Sequence, residues 1–218
     1  MISNTEENYL KAIYKLSEGS DALAQTNAIA AAMRTSAASV TDMIQRLHTK
    51  GLVTYQKYQG VALSKKGKAY AIMVLRKHLL WEVFLVDKLK FGWNEVHEIA
   101  EQLEHIQSPL LIQRLDDFLG NPTYGPHGGT IPNAAGDLIS KPRKLLTEMA
   151  AGSSCIVSAI KEDIGPLLQY LSKRNIYLGV KISVIEKIDF DESIDISVDN
   201  QPKFNVSRKV SDHILVVT

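Results

Sequence analysis

The chain has 218 residues and a formal net charge of +1, with 45% hydrophobic and 22% charged residues, which is typical of a folded protein of one to three domains. Its single cysteine excludes an internal disulfide framework and favours a reducing compartment, so we expect the protein in the cytoplasm. The sequence contains no apolar run of about 18 residues, the length needed to span a bilayer. Residues 1–15 also lack the apolar core of a secretory signal, so we expect no membrane partner.

The charge is divided unevenly along the chain. Lys and Arg outnumber Asp and Glu over residues 1–75, whereas acidic residues predominate over residues 76–118. This division suits a module that binds a polyanion joined to one that binds a cation. The asymmetry is modest, and many enzymes show as much.

The elements predicted for the first third of the chain follow the order of a DNA-binding domain. Three segments place apolar residues at helical spacing: residues 4–18, 25–33 and 37–50. A turn at residues 34–36 separates the second from the third, and two strand-like runs follow at residues 52–55 and 61–63. A long helix then opens at residues 64–67. This order predicts a winged helix-turn-helix; the alternative is a small helical domain with an incidental hairpin.

In a winged helix-turn-helix, the third helix enters the major groove and the wing lies on the phosphate backbone. Hydroxyl side chains in the first turns of that helix can bond phosphates or base edges. The residues predicted to meet DNA from the third helix are Ser36, Ala38, Ser39, Thr41 and Asp42. Those predicted from the wing or its base are Lys57, Tyr58 and Lys65.

The segment from His97 to His105 contains the strongest chemical signal. On a helix, four of its side chains would share one face: His97, Glu101, Glu104 and His105. His78 and Glu82 form a second pair at i, i+4 on the preceding long helix. Imidazole and carboxylate groups that converge between two antiparallel helices make a divalent-metal site. A solvated, ion-paired face would place Lys or Arg among these positions, and none occurs there. Because the set has no thiolate, it favours Mn²⁺ or Fe²⁺.

Two other functions remain open from the residues alone. One is a two-metal hydrolase, which would need a nucleophile or acid near the ligands that the sequence does not supply. Walker, Gly-x-Ser-x-Gly and His-Glu-x-x-His motifs are also absent. The other is a metal-independent winged-helix transcription factor whose acidic helix only packs or binds a partner protein. His48, His127 and His213 have no second ligand at a fitting spacing and are predicted to be structural.

The rest of the chain changes character twice. Residues 120–142 are rich in glycine and proline, which predicts a loop between domains. From residue 144 onward, several short β-runs with one helix at residues 164–172 predict a small barrel of SH3 type. The predicted fold class is therefore mainly α, with a small all-β C-terminal domain.

Taken together, these residues resemble a known family, the metal-dependent repressors related to the diphtheria toxin repressor and the manganese transport regulator, in their three-domain form. The resemblance covers essentially the whole chain and is most specific at residues 5–14, 39–41, 51–53, 76–78, 101–105 and 125–132. It implies a winged helix-turn-helix domain in residues 1–73 and an SH3-like domain in residues 143–218. Between them, residues 74–142 would form a helical metal-binding and dimerisation domain with the interdomain loop.

The resemblance divides the candidate ligands between two metal positions. The first, often called ancillary, matches His78, Glu82 and His97. In some members of the family the third domain lends this site a carboxylate, and Glu162 or Asp163 lies near the expected place. The second matches Glu101, Glu104 and His105, completed by a residue of the first helix.

The sequence departs from the family pattern in the first helix. Asn8 stands where Asp or Met is usual, and Lys11 replaces an acid of the manganese-type two-metal members. Glu101 is the manganese-type residue, whereas His97 and the third domain are features of iron-type members. The chain is therefore a hybrid of the two types.

The function that the resemblance implies is a metal-dependent repressor of metal-uptake genes, activated for operator binding by Mn²⁺ or Fe²⁺. Its partners would be double-stranded DNA with a palindromic operator and a second copy of the chain, forming a homodimer. Metal binding would tie Asn8 to the ligands on the dimerisation helices and fix the separation of two recognition helices. No enzymatic activity is expected.

Overall fold

The computed structural model describes residues 2–17, 22–56, 59–92, 95–139, 142–161 and 165–218. The chain forms two compact units. The helical unit comprises Met1–Asn121 and Ile131–Leu138, and the β unit comprises Pro122–Thr130 and Ile139–Thr218. Among the described residues, no helix has the length and apolar character needed to cross a membrane.

The helical unit begins with the predicted winged helix-turn-helix. Its elements are α1 (Asn4–Leu16), α2 (Thr26–Ala32), α3 (Ala37–Thr49), β1 (Val53–Gln56), β2 (Gly60–Leu63) and α4 (Lys65–Asp87). Serine side chains cap three of the helices, because each accepts a hydrogen bond from a backbone N–H of the first turn: Ser3, Ser36 and Ser64. Gly51, at φ +68°, lies just beyond the end of α3 in a conformation that suits glycine.

The wing packs tightly against the start of α4. A Cβ added to Gly67 would lie 1.9 Å from the carbonyl oxygen of Leu52, so only glycine permits this approach. The antiparallel pair β1–β2 joins Val53 to Leu63 in register, and Val61 lies in the core beneath it. The wing is therefore attached to α4 at its base.

Two further helices complete the helical unit: α5 (Val96–Leu103) and α6 (Pro109–Phe118). The unit contains two apolar cores. One lies among α1, α2, α3 and the wing, and the other lies between the second half of α4, α5 and α6. Leu75 of α4 packs against both. The segment after Ile131 also belongs to this unit, and Arg76 of α4 donates a hydrogen bond to the Pro132 carbonyl at 2.6 Å.

The β unit has a six-stranded antiparallel sheet in the order β3-β8-β4-β5-β6-β7. The strands are β3 (Lys144–Leu145), β4 (Ser154–Ile160), β5 (Lys181–Ile188), β6 (Ser193–Val198), β7 (Phe204–Val206) and β8 (Ile214–Val217). Helix α7 (Gly165–Lys173) precedes β5 and the short α8 (Arg208–Ser211) precedes β8. Register shifts between Val157 and Ala159 and between Val184 and Glu186 bend β4 and β5, as a small curled sheet requires. The predicted fold class, mainly α with an SH3-like C-terminal domain, is confirmed.

The β unit contains short elements that the sequence did not predict. Strands β3 and β7 and helix α8 were not predicted, because two to four residues give too little periodicity to recognise. Cys155 is buried in the core of this unit, and burial raises the pKa of its thiol to about 11.

Candidate metal centre and nucleic-acid interface

The candidate ligands lie where α1, α4 and α5 meet. His78 and Glu82 are one turn apart on α4, and His97 and Glu101 are one turn apart on α5. The predicted helical stripe ends sooner than expected: α5 stops at Leu103, Glu104 is its C-cap, and Glu104 and His105 lie in the turn that follows. The last two candidate ligands are thus placed by a turn and not by helical periodicity.

His78, Glu82 and His97 form a compact donor cluster. One ligand atom from each lies within 4.8 Å of the others. His78 Nε2 is 3.0 Å from Glu82 Oε1 and 3.1 Å from His97 Nδ1, which in turn is 3.3 Å from Glu82 Oε1. His78 and Glu82 are buried, whereas the His97 side chain is 51% exposed. Two imidazole nitrogens and a carboxylate oxygen open to solvent on one side suit a divalent cation.

Glu104 lies beneath this cluster and orients it. Its Oε2 is 2.7 Å from His78 Nδ1, so His78 presents its other nitrogen to Glu82 and His97. A carboxylate on the far nitrogen of a histidine is the usual support for a metal-ligating imidazole. Glu104 itself is completely buried, and Lys11 of α1 donates to both of its oxygens, at 2.7 and 2.8 Å.

The pKa values of His78 and Glu104 reflect the hydrogen bond between them. Burial alone would lower the pKa of His78, but its hydrogen bonds to Glu104 and Glu82 outweigh burial and raise the pKa above its ordinary value. Burial opposes ionisation of Glu104, yet the His78 hydrogen bond and the Lys11 charge lower its pKa. A metal ion entering this site therefore competes with a proton on His78.

The four residues predicted for the second position are not gathered into one donor cluster. Glu101 Oε1 lies 3.4 Å from Lys11 Nζ and 3.6 Å from His97 Nε2. His105 Nε2 is 3.8 Å from Glu104 Oε1. The Asn8 side-chain oxygen is buried and has no hydrogen-bond partner in the described part of the chain. A buried oxygen of α1 without a hydrogen-bond partner is consistent with a bound ion that would satisfy it.

Glu7 is a residue of this region that the sequence analysis missed. It is a buried carboxylate of α1 whose Oε2 lies 2.6 Å from His105 Nδ1 and whose Oε1 accepts a hydrogen bond from Gln107 at 2.9 Å. The ammonium nitrogen of Lys77 lies 3.9 Å from Glu7 Oε1. The i, i+4 spacing of Glu7 and Lys11 was the available sign that both lie on one face of α1.

The structure places the predicted DNA-contacting residues at the surface around α3. Ser36, Ala38, Ser39, Asp42 and Lys65 are exposed, and Thr41 is half-buried with its hydroxyl donating to the Ala37 carbonyl at 2.9 Å. Lys57 and Tyr58 lie outside the described residues. Ser36 has an additional role, because its Oγ accepts a hydrogen bond from the Ser39 N–H at 3.1 Å and caps the helix.

This cap predicts a measurable effect of Ser36→Ala. Because the variant loses the N-cap of α3, we expect its free energy of unfolding to fall by about 1 kcal/mol. Ser36→Asn retains a capping side chain and should unfold within a few tenths of a kcal/mol of the parent. Thermal unfolding monitored by circular dichroism measures both variants. Equal stability of the alanine and asparagine variants would contradict the capping role.

Comparison with known proteins matches three family models to successive parts of the chain. Residues 1–61 match the iron dependent repressor N-terminal DNA binding domain, and residues 64–133 match the iron dependent repressor metal binding and dimerisation domain. Residues 144–218 match the FeoA domain.

Individual relatives agree with these matches. The chain is 36% identical to the iron-dependent repressor IdeR of Mycobacterium leprae over 161 residues, which is 71% of this chain and 70% of that protein. Among solved structures, it is similar to a manganese-dependent transcriptional repressor in complex with manganese (TM-score 0.68, 31% identity, 98% of this chain and 99% of the other). It is also similar to the manganese regulator SloR (TM-score 0.60, 34% identity, 100% and 99%).

A winged helix, a helical unit with imidazole and carboxylate donors, and an SH3-like β unit define a class of metal-dependent DNA-binding proteins. The chain belongs to the iron-dependent repressor family, whose members are transcriptional repressors and not enzymes. This membership confirms the predictions of a metal-dependent repressor that binds DNA and dimerises. It favours the metal-dependent repressor over the two alternatives, the hydrolase and the metal-independent factor.

Proposed function

We propose that this protein binds a palindromic operator as a homodimer when Mn²⁺ or Fe²⁺ occupies its helical unit, and that it represses metal-uptake genes in the cytoplasm. The observation that carries the proposal is the convergence of His78, Glu82 and His97, whose donor atoms lie within 4.8 Å of one another. The names of the relatives, iron-dependent for one and manganese-dependent for another, support these two ions.

The ligands are assigned to two positions. His78, Glu82 and His97 would hold the first ion, with Glu104 orienting His78. Glu101, Glu104, His105 and Asn8 would hold the second. Lys11 and Glu7 pair with members of that second set. Carboxylates of α4 and α5 would coordinate the cation together with donors of α1. The bound cation would thus hold the DNA-binding helices against the metal-binding helices.

The proposed domains are residues 1–73, 74–142 and 143–218. The family matches to residues 1–61, 64–133 and 144–218 support this division. The residues proposed to meet DNA are Ser36, Ala38, Ser39, Thr41, Asp42, Lys57, Tyr58 and Lys65. Of these, all but Lys57 and Tyr58 lie in the described part of the chain, on or beside α3 and at the start of α4.

Exposed apolar side chains on the helical unit support a dimer. Leu110 and Phe118 of α6 are each 62% exposed, and Leu89, just after α4, is 53% exposed. Large exposed apolar side chains are typical of surfaces that pair with another protein. We propose that α6 and the end of α4 contribute to the twofold interface.

Operator binding as a function of metal tests the proposal. A duplex selected from a random pool with the Mn²⁺-loaded protein is titrated in the presence of Mn²⁺, of Fe²⁺ under anaerobic conditions, and of a chelator. We expect tight binding with either ion, weak binding with the chelator, and a dimer by sedimentation equilibrium. An operator affinity that is the same with Mn²⁺ and with the chelator would contradict the proposal.

A further inference from the structure

Lys11 is a buried lysine whose ammonium group lies between two carboxylates of the metal-binding helices. Its Nζ is 2.7 and 2.8 Å from the two oxygens of Glu104 and 3.4 Å from Glu101 Oε1. Lys11 is 6% exposed, and Glu104 is completely buried. An ammonium and a divalent ion both seek the same carboxylate oxygens, and in a buried site each strongly excludes the other.

We propose that Lys11 is an internal cation that competes with the divalent ion for Glu101 and Glu104, and so sets the metal concentration at which the second position fills. This inference rests on the proposed function. Both oxygens of Glu104 accept from Lys11, so the carboxylate can coordinate an ion only when the ammonium withdraws or shares it. His105 faces the same Glu104 oxygen, Oε1, at 3.8 Å.

The competition also concerns how α1 is held. Lys11 stands on the first helix of the DNA-binding region, and its partners Glu101 and Glu104 belong to the helix and turn that contain the ligands. Glu104 in turn contacts His78 of the first cluster at 2.7 Å. An ion that takes Glu104 from Lys11 therefore replaces one link between α1 and the metal helices with another. Lys11 thus sets the metal concentration at which an ion replaces this link between α1 and the helices that hold the metal ligands.

A comparison within α1 separates this role from ordinary ion pairing. Lys50 also pairs with a buried α1 carboxylate, Glu6, at 2.7 Å, but the Lys50 side chain is 46% exposed and Glu6 contacts none of the candidate ligands in the described contacts. Lys50→Met is therefore a matched control. It removes a lysine–glutamate pair of the same helix without touching the proposed competition.

The test is equilibrium binding of Mn²⁺ to the metal-free protein without DNA. Binding is measured by competition with a chelating indicator at neutral pH. In Lys11→Met and Lys11→Gln, the second position should bind Mn²⁺ about tenfold tighter or more, because the repelling charge is gone and Glu104 lacks a counter-ion. Lys11→Arg keeps the charge and should bind Mn²⁺ like the parent, as should Lys50→Met. The Gln variant retains a hydrogen-bond donor for Glu104, so it keeps the test available if Lys11→Met does not fold.

The result that overturns the inference is an affinity for Mn²⁺ at the second position that, in both neutral variants, equals the parent value or falls below it. Loss of the second binding event in Lys11→Gln with unchanged folding would do the same, because it would make Lys11 a support and not a competitor. Failure of the proposed function has a different signature. In that case the parent protein binds its operator equally well with Mn²⁺ and with chelator, whatever the Lys11 variants do to Mn²⁺ affinity.

Discussion

His78→Ala is expected to lose metal-dependent operator binding, with the affinity for Mn²⁺ at the first position reduced more than about 100-fold. His78 is the residue that connects the site, because its Nε2 meets Glu82 and His97 and its Nδ1 meets Glu104. The alanine variant removes one donor and also frees Glu104 from the contact that orients the cluster. Mn²⁺ binding by chelator competition and operator binding by fluorescence anisotropy measure the two losses.

The matched control for this variant is His213→Ala, which removes a histidine of the β unit that contacts the Lys209 carbonyl. It should leave Mn²⁺ stoichiometry and operator affinity unchanged. Retention of the parent's Mn²⁺-dependent operator binding in His78→Ala, within about threefold, would contradict the assignment of the first site.

The same residue gives the site a defined dependence on pH. The pKa of His78 is raised in the metal-free protein, since hydrogen bonds to Glu104 and Glu82 outweigh the opposing effect of burial. Proton competition therefore begins at a pH above the ordinary histidine value of 6.5, and Mn²⁺ affinity should fall as the pH falls through the raised pKa. Stability has the opposite sign: the His78 contacts stabilise the metal-free fold below 6.5 and lose that effect as the pH rises through the raised pKa.

Glu7→Gln is expected to uncouple operator binding from metal binding. Glu7 is the α1 carboxylate that contacts His105, at 2.6 Å, and it also accepts from Gln107. Supporting carboxylates of metal-ligating histidines change metal affinity or activity by about 10- to 100-fold when they are removed. We therefore expect Mn²⁺-dependent operator affinity to fall by about that factor, while Mn²⁺ still binds at His78, Glu82 and His97.

The neighbouring carboxylate provides the control for this change. Glu6 is also buried on α1, but it pairs with Lys50 and caps its own helix through Ser3. Glu6→Gln should lower the stability of the protein and leave the ratio of operator affinities with and without Mn²⁺ unchanged. If Glu6→Gln and Glu7→Gln change that ratio equally, Glu7 supports only the fold of α1 and does not position His105.

The DNA-binding fold could be predicted because its signals are local. Capping residues such as Ser36 and Ser64 and the glycine after α3 mark helix ends, and alternating apolar residues mark the wing. The pairing of His78 with Glu82 is equally local, since i, i+4 positions share a helix face. These features need no knowledge of how distant segments meet.

The rest of the site depends on contacts that sequence spacing does not contain. Lys11 and Glu104 are 93 residues apart, and Glu7 and His105 are 98 residues apart. Helical periodicity extended the stripe through His105, but α5 ends at Leu103 without a glycine or proline to mark the stop. The pairing of Glu104 with Lys11 is therefore a property of how α1 packs on the metal helices, which only the structure reveals.

The tight approach of Gly67 to the Leu52 carbonyl has a consequence for how such proteins can be recombined. It fixes the wing to the first turn of α4, a helix of 23 residues and so about 34 Å long that also holds His78 and Glu82. Leu75, midway along it, packs against both apolar cores. A chimera joined within this helix would open two cores at once. Exchanging α5 and the turn after it between relatives therefore requires a junction beyond Asp87, with all of α4, including His78 and Glu82, inherited by the DNA-binding half.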